Sequence, residues 1–179
     1  MTKGSEMSQN NPSHIYPLSS DFESGLRLLA ILAEVSPKAI DLTGLHILDY
    51  LTIYAADYYE NLPSIHPPIP GRSVRILEKR EQIKRGVELF ESRKLIVRDF
   101  SAKGFLFSIS EMGFNFLVNI KSDYIRLIRV SAKAVVGELG ERSFDLVRQD
   151  MYTRLLEWGA EYSQRLNDST LLSLKIDTL

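Results

Sequence analysis

The sequence predicts a mainly α-helical protein: a winged helix-turn-helix, made of three helices plus a two-stranded wing, followed by C-terminal helices. Two observations support this fold class. Three successive segments between residues 20 and 94 carry apolar residues at helical spacing. The apolar period then changes from about 3.6 to 2 over residues 95–110, as in a hairpin. Three helices followed by a hairpin is the element order of a winged helix, and the hairpin must pack on the helices because an isolated one is marginal.

The first two helices have recognisable start signals. Ser20 or Asp21 caps the first helix, and Glu23 stands three residues after Ser20 as in a capping box. We expect this helix to be largely buried and to end before Pro37. The second helix is predicted from Thr43 to about residue 57, with residue 41 as its cap.

The third helix is amphipathic with a narrow apolar seam. Ser73 is its predicted N-cap, and it occupies the position of a recognition helix. The seam residues are Ile76, Ile83, Val87 and Phe90. The next segments read as strand, turn and strand, "LIVRDF", "SAKG" and "FLFSIS", with Gly104 in the turn.

Further helices follow the predicted wing. Ser110 caps the first of them, and the next has an apolar stripe from Ile125 to Leu139. The last has a stripe formed by Phe144, Val147, Met151, Leu155, Trp158 and Tyr162. We therefore divide the chain into a flexible N-terminus (1–19), a winged-helix domain (20–110), C-terminal helices (111–166) and a tail (167–179).

Composition argues against several classes of function. The 179 residues include no cysteine and only three dispersed histidines, so neither thiolate chemistry nor a zinc site is expected. No phosphate-binding loop, zinc-protease motif or serine-hydrolase motif occurs. Asp49 and Asp57 read as surface carboxylates, and His66 as a turn-forming or hydrogen-bonding histidine. We therefore expect no catalytic residue, cofactor or metal, and a cytoplasmic protein that does not span a membrane.

The third helix raises the possibility of DNA contact. Eight basic and four acidic residues lie between residues 72 and 94. The candidate contacts to DNA or to a partner are Arg75, Lys79, Arg80 and Lys84. The alternative is a solvated helix with internal pairs such as Glu81–Arg85. Arg80 lies close to the apolar seam, which predicts a buried or interface arginine with a carboxylate partner.

A proline-rich loop, residues 64–73 ("SIHPPIPGRS"), separates the second and third helices. At about 15 residues the whole connection is longer than an ordinary helix-turn-helix turn, which disfavours DNA reading. A loop stiffened by proline loses little entropy on binding, and tyrosine suits interfaces. The predicted partner-binding residues are Tyr54, Tyr58, His66, Pro67, Pro68, Pro70 and Arg72. The alternative is a rigid spacer that only fixes where the third helix begins.

The series "LDYL", a tyrosine-rich segment, "HPP-P-R" and the "R–I–RG–L" helix, within roughly residues 22–118, resembles the small middle component of bacterial three-component ABC systems. That group includes the middle subunit of Lamassu anti-phage defence. The resemblance implies a non-catalytic accessory subunit whose partners are an SMC-like ABC ATPase and an effector, often a nuclease. It also implies that His66, Pro67, Pro68, Pro70 and Arg72 are signature positions of the family. The competing hypothesis from the residues alone is a winged-helix transcription regulator that binds double-stranded DNA.

Overall fold

The helices and strands follow the predicted order with one addition. The computed structural model describes residues 20–68, 72–102, 104–140, 146–154 and 156–157, with the backbone alone for residues 72–78. Its helices are Asp21–Val35 (α1), Leu42–Ile53 (α2), Arg72–Ser92 (α3), Glu111–Asn119 (α4) and Asp123–Leu139 (α5). Ala55–Asp57 form one 3₁₀ turn, and residues 146–154 are helical. The predicted N-terminus (1–19) and tail (167–179) lie outside the described residues.

α1 is the central helix of the core. Its predicted capping box is confirmed, since the Ser20 hydroxyl accepts from the Glu23 N–H at 3.1 Å and the Glu23 carboxylate accepts from the Ser20 N–H at 3.2 Å. Five consecutive residues, 28–32, are completely buried. A helix apolar around its whole circumference must be covered on all sides. α3 covers one side of α1 and α5 another.

α1 and α3 meet at two glycines. A Cβ placed on Gly25 would lie 2.3 Å from the Phe90 ring and 2.7 Å from the Gly86 carbonyl oxygen. A Cβ on Gly86 would lie 2.8 Å from the Gly25 nitrogen. The two backbones therefore touch, and Phe90 fills the space beside them. Both glycines are needed for close approach rather than for an unusual φ.

The hairpin belongs to a three-stranded antiparallel sheet. Its strands are Ile40–Asp41 (β1), Ile96–Ser101 (β2) and Gly104–Ile109 (β3), in the order β1-β3-β2. The predicted β2–β3 hairpin is confirmed, and Gly104 has φ +105° in the turn. β1, which pairs Ile40 with Phe107, was not predicted, so the two-stranded expectation was one strand short.

Two predicted helix limits require correction. α2 ends at Ile53, not near residue 57, because the chain tightens into the 3₁₀ turn after Tyr54. α3 begins at Arg72, so Ser73 lies inside the helix and is not its cap. Asp41 and Ser110 do cap their helices, accepting from Gly44 and Gly113 N–H groups at 2.8 and 2.9 Å.

The C-terminal helices share one core with the rest of the chain. The predicted α5 stripe is confirmed: Ile125, Ile128, Ala132, Val135 and Leu139 are all buried. α5 packs on both α1 and α2. In the helical segment 146–154, Val147 and Met151 are buried. The other predicted members of that stripe, Phe144, Leu155, Trp158 and Tyr162, lie outside the described residues.

Candidate functional site

The first half of the proline-rich loop is held against the end of α2. The N–H groups of Ile65 and His66 donate to the Ile53 carbonyl at 2.9 and 3.3 Å. Pro67 and Pro68 follow and are exposed. Because its base is fixed, the loop displays these two prolines in a defined position. Pro70 and the side chain of Arg72, also predicted for this site, lie outside the described residues.

His66 lies half-buried between two tyrosines. Its ring centroid is 6.1 Å from those of Tyr54 and Tyr124, and its Nε2 is 3.4 Å from the Tyr124 hydroxyl. Burial lowers the pKa of His66, and the positive charges of Lys79 and Arg27 lower it further. The imidazole is therefore neutral at pH 7 and takes part in packing, as predicted for a hydrogen-bonding histidine.

A buried ion pair lies close enough to this histidine for its charges to act on the pKa of His66. The Arg27 guanidinium donates to Asp49 through Nε at 2.8 Å and through Nη2 at 3.2 Å. Arg27 is 2% exposed and Asp49 1% exposed. Burial alone lowers the pKa of Arg27, but the charge of Asp49 and its hydrogen bonds outweigh burial and raise the pKa above its ordinary value. The expectation that Asp49 is a surface carboxylate was therefore wrong.

We call Arg27, Asp49, His66 and Tyr124 the polar cluster. Burial raises the pKa of Tyr124, and the charge of Arg27 opposes that rise. The four residues come from α1, α2, the proline-rich loop and α5 respectively. Asp49 is paired with Arg27 and closed to solvent, so it is not exposed to a ligand as a base or metal ligand would be. The contact between His66 and Tyr124 ties the loop to α5, and the charges of the Arg27–Asp49 pair act on both residues from α1 and α2.

The predicted tyrosine patch is only partly at the surface. Tyr54 is 5% exposed and packs against Tyr50 at 5.2 Å between ring centroids. Tyr58 is half-buried, its hydroxyl donates to Asp150, and the Arg154 guanidinium lies 4.6 Å above its ring. Burial, followed by the hydrogen bond to Asp150, raises the pKa of Tyr58 to about 12. These contacts tie the residues before the loop to the C-terminal helical segment.

Asp57 is likewise not a free surface carboxylate. It is half-buried and accepts a hydrogen bond from the Tyr50 hydroxyl. It thereby joins the 3₁₀ turn to α2.

The described part of α3 presents some of the predicted cations. Arg80 and Lys84 are exposed, while Lys79 is half-buried with its Nζ 5.8 Å from the centre of the Tyr54 ring. The expectation of a buried Arg80 was wrong, because the seam facing α1 contains Ile83, Val87 and Phe90 and leaves Arg80 at its solvent margin. The side chain of Arg75 lies outside the described residues.

Arg85, which was expected to pair with Glu81 within α3, has a different partner in the structure. Arg85 binds Asp21 of α1 at 3.1 Å. The pair links two helices, and the side chains of Arg85 and Asp21 are 55% and 40% exposed.

The model of the family "ABC-three component (ABC-3C) system Middle Component 2" matches residues 17–161. The chain belongs to this family. No curated protein and no solved structure matches it. The predicted resemblance to the middle component of three-component ABC systems is confirmed, while the Lamassu subtype stays a prediction.

The part of this Middle Component 2 protein that matches the family contains the loop and the whole polar cluster. Arg27 was not predicted as a residue of the site, although the sequence around it contains a signal. Arg27 is embedded in the apolar run "LRLLAIL", where a helix buried all round must bring its arginine into the core with a carboxylate partner.

Over the described ranges, no three His, Asp or Glu side chains are grouped so as to hold a metal ion. Among the helices that the structure describes, none has the length and apolar character that a bilayer span requires.

Proposed function

We propose that this protein is a non-catalytic accessory subunit that bridges an SMC-like ABC ATPase and an effector nuclease in anti-phage defence. The observation that carries the proposal is membership of the Middle Component 2 family, whose description names a component of a three-component system. A middle component of such a system has two other components as its natural partners. Bridging through protein–protein contacts is the simplest role for a chain between them.

We further propose that the chain contains a winged helix. The order α1, β1, α2, α3, β2, β3 and the sheet order β1-β3-β2 support this assignment. The β2–β3 hairpin would be the wing, and α3 would occupy the recognition position. We assign the surface of α3 and this hairpin to binding a partner protein, in preference to binding DNA.

A non-catalytic role is supported by how the buried polar groups are used. Asp49 is neutralised by Arg27, and the imidazole of His66 is enclosed by Tyr54 and Tyr124. A carboxylate that is paired with an arginine and 1% exposed is not open to a substrate. These groups hold the proline-rich loop in place, and the loop is the surface that we assign to partner binding.

The proposal is tested by co-expressing the full chain with the other two components of its system and measuring assembly. The double variant Pro67→Ala, Pro68→Ala should weaken assembly about fivefold or more, because it removes the two exposed proline rings that we assign to the partner contact, and a loss of about 1 kcal/mol of contact is a factor of about five. Pro63→Ala, an exposed proline ahead of the loop, is the matched control and should assemble like the wild type. If the wild-type chain purifies alone while the other two components assemble without it, the proposed function is wrong.

A second candidate function is favoured by the exposed cations of α3. As a winged-helix transcription regulator, the protein would place Arg80 and Lys84 on DNA phosphates. Fluorescence anisotropy with duplex DNA should then show binding that weakens with salt, and the salt slope should fall by about one for each cation reversed to glutamate. Lys38→Glu, at an exposed lysine between α1 and α2, is the control. The absence of duplex binding at low salt would remove this candidate.

A further inference from the structure

A groove borders the face of α5 that is turned away from the proline-rich loop. It lies between the end of α4 and α5 and has a volume of about 510 Å³. Its apolar lining is Leu117, Val118, Ile120, Ile125 and Val130. Val118 is 77% exposed and Val130 63% exposed, so two branched apolar side chains face solvent at its rim. A cavity of this size is in the range that accommodates ligand or side-chain groups.

The groove is lined by more positively charged than negatively charged side chains. Arg126, Arg129 and Lys133 line it against a single carboxylate, Glu34. Arg129 is already neutralised, because its Nε lies 2.6 Å from the Glu34 carboxylate, which is 13% exposed.

The other two cations are available to a ligand. Lys133 makes no ion pair within the described part of the chain, and it is exposed. Arg126 pairs at 3.0 Å with Asp123, but the two side chains are 78% and 94% exposed. Pairs that exposed contribute little, so an incoming carboxylate can displace Asp123. The groove therefore offers two cations beside exposed apolar side chains.

The groove and the proline-rich loop lie on opposite sides of α5. A helix turns by about 100° per residue, so Tyr124 and Lys133, nine residues apart, project about 180° from each other. Tyr124 contacts His66 of the loop, whereas Lys133 lines the groove. A subunit that bridges two proteins needs two separate surfaces, and the proline-rich loop and the groove would provide them.

We propose that the α4–α5 groove binds an acidic, amphipathic segment of another protein component of the same system. Apolar side chains of the segment would pack on Val118 and Val130, and its carboxylates would pair with Arg126 and Lys133. The exposed valines favour a protein over a nucleic acid, because phosphates would use the cations and leave the apolar rim in water. This inference rests on the proposed accessory function and adds a second contact surface to it.

The test measures the affinity of the full chain for the other two components. The double variant Val118→Asp, Val130→Asp should weaken the dissociation constant about tenfold or more, since it removes apolar contact and repels an acidic segment. Leu127→Asp is the matched control, because Leu127 is 47% exposed on the same helix but does not line the groove. Thermal melting by circular dichroism checks that each variant is folded.

A charge reversal provides an independent arm. Lys133→Glu should weaken binding severalfold and reduce its dependence on salt, while Lys38→Glu should do neither. A photo-crosslinking amino acid at Val130 identifies the occupant, and an acid-to-lysine change in the crosslinked segment should restore binding to Lys133→Glu.

The outcomes separate the two proposals. If the wild type joins the complex and the groove variants join equally well, the groove inference fails and the proposed function stands. If the wild type joins neither component, both fail. Crosslinks to DNA, or to residues 158–179 of this chain, would overturn the inference by naming a different occupant.

Discussion

Replacing Arg27 by methionine would leave the Asp49 carboxylate buried without its partner. Asp49 is 1% exposed and now accepts two hydrogen bonds from the guanidinium, at 2.8 and 3.2 Å. Removing one member of such a pair costs about 3–5 kcal/mol because an uncompensated charge stays in the core. Against a typical total of about 5–15 kcal/mol, this would be a large share of the free energy of unfolding.

Equilibrium unfolding in urea, followed by circular dichroism, measures this loss directly. The melting temperature should fall by about 2–4 °C for each kcal/mol. The double variant Arg27→Met, Asp49→Leu should recover most of the loss, since two apolar residues can replace a buried pair at little cost. Arg85→Met, which breaks a pair with Asp21 that is about half exposed, should cost at most about 1 kcal/mol.

Either of two results would show that the charge left on Asp49 does not cause the loss of stability. One is an Arg27→Met variant that loses no more than Arg85→Met. The other is a double variant that is as unstable as Arg27→Met, which would mean that the charge left on Asp49 is not the cause.

Two other changes have expected outcomes. Gly25→Ala should destabilise the protein by about 1–3 kcal/mol or more, because its Cβ would meet the Phe90 ring at 2.3 Å. Gly137→Ala should instead stabilise α5 by about 0.5–1 kcal/mol, because nothing lies within 4 Å of a Cβ at this position. If urea unfolding gave the same change in free energy for Gly25→Ala and Gly137→Ala, the close packing of α1 on α3 at Gly25 would be contradicted. The lowered pKa of His66 means that the unfolded chain binds its proton more readily, so stability should fall as pH drops below about 6.5. His66→Phe should lose that part of the pH slope, and an unchanged slope would show that His66 does not cause it.

Local chemistry explains what could be predicted about the fold. Ser20, Asp41 and Ser110 each cap a helix through a side-chain oxygen three residues before its N–H partner, which sequence spacing alone reveals. The hairpin could be predicted in the same way, because the alternation of its apolar residues and the presence of Gly104 are local features of the sequence. The prediction that Ser73 is the N-cap of α3 was wrong, because a polar residue after a proline-rich loop resembles a cap, whereas α3 begins one residue earlier.

Features that depend on distant contacts were not predictable in the same way. β1 has only two residues and exists because Ile40 meets Phe107 across the sheet. Asp49 looked solvent-exposed because its partner, Arg27, is 22 positions away. For the candidate site, the sequence identified the loop itself, but the polar cluster beneath it required the three-dimensional arrangement of four separate elements.

The burial of α1 on all sides has a consequence for synthesis of the protein. α5, which covers one side of α1, lies roughly 100 residues further along the chain, and translation at about 5–20 residues per second takes about 5–20 s to produce that length. During this interval the apolar side of α1 that α5 covers in the native protein stays exposed on the nascent chain. The N-terminal third is thus the segment of the newborn chain on which chaperones would act, until α5 leaves the ribosome.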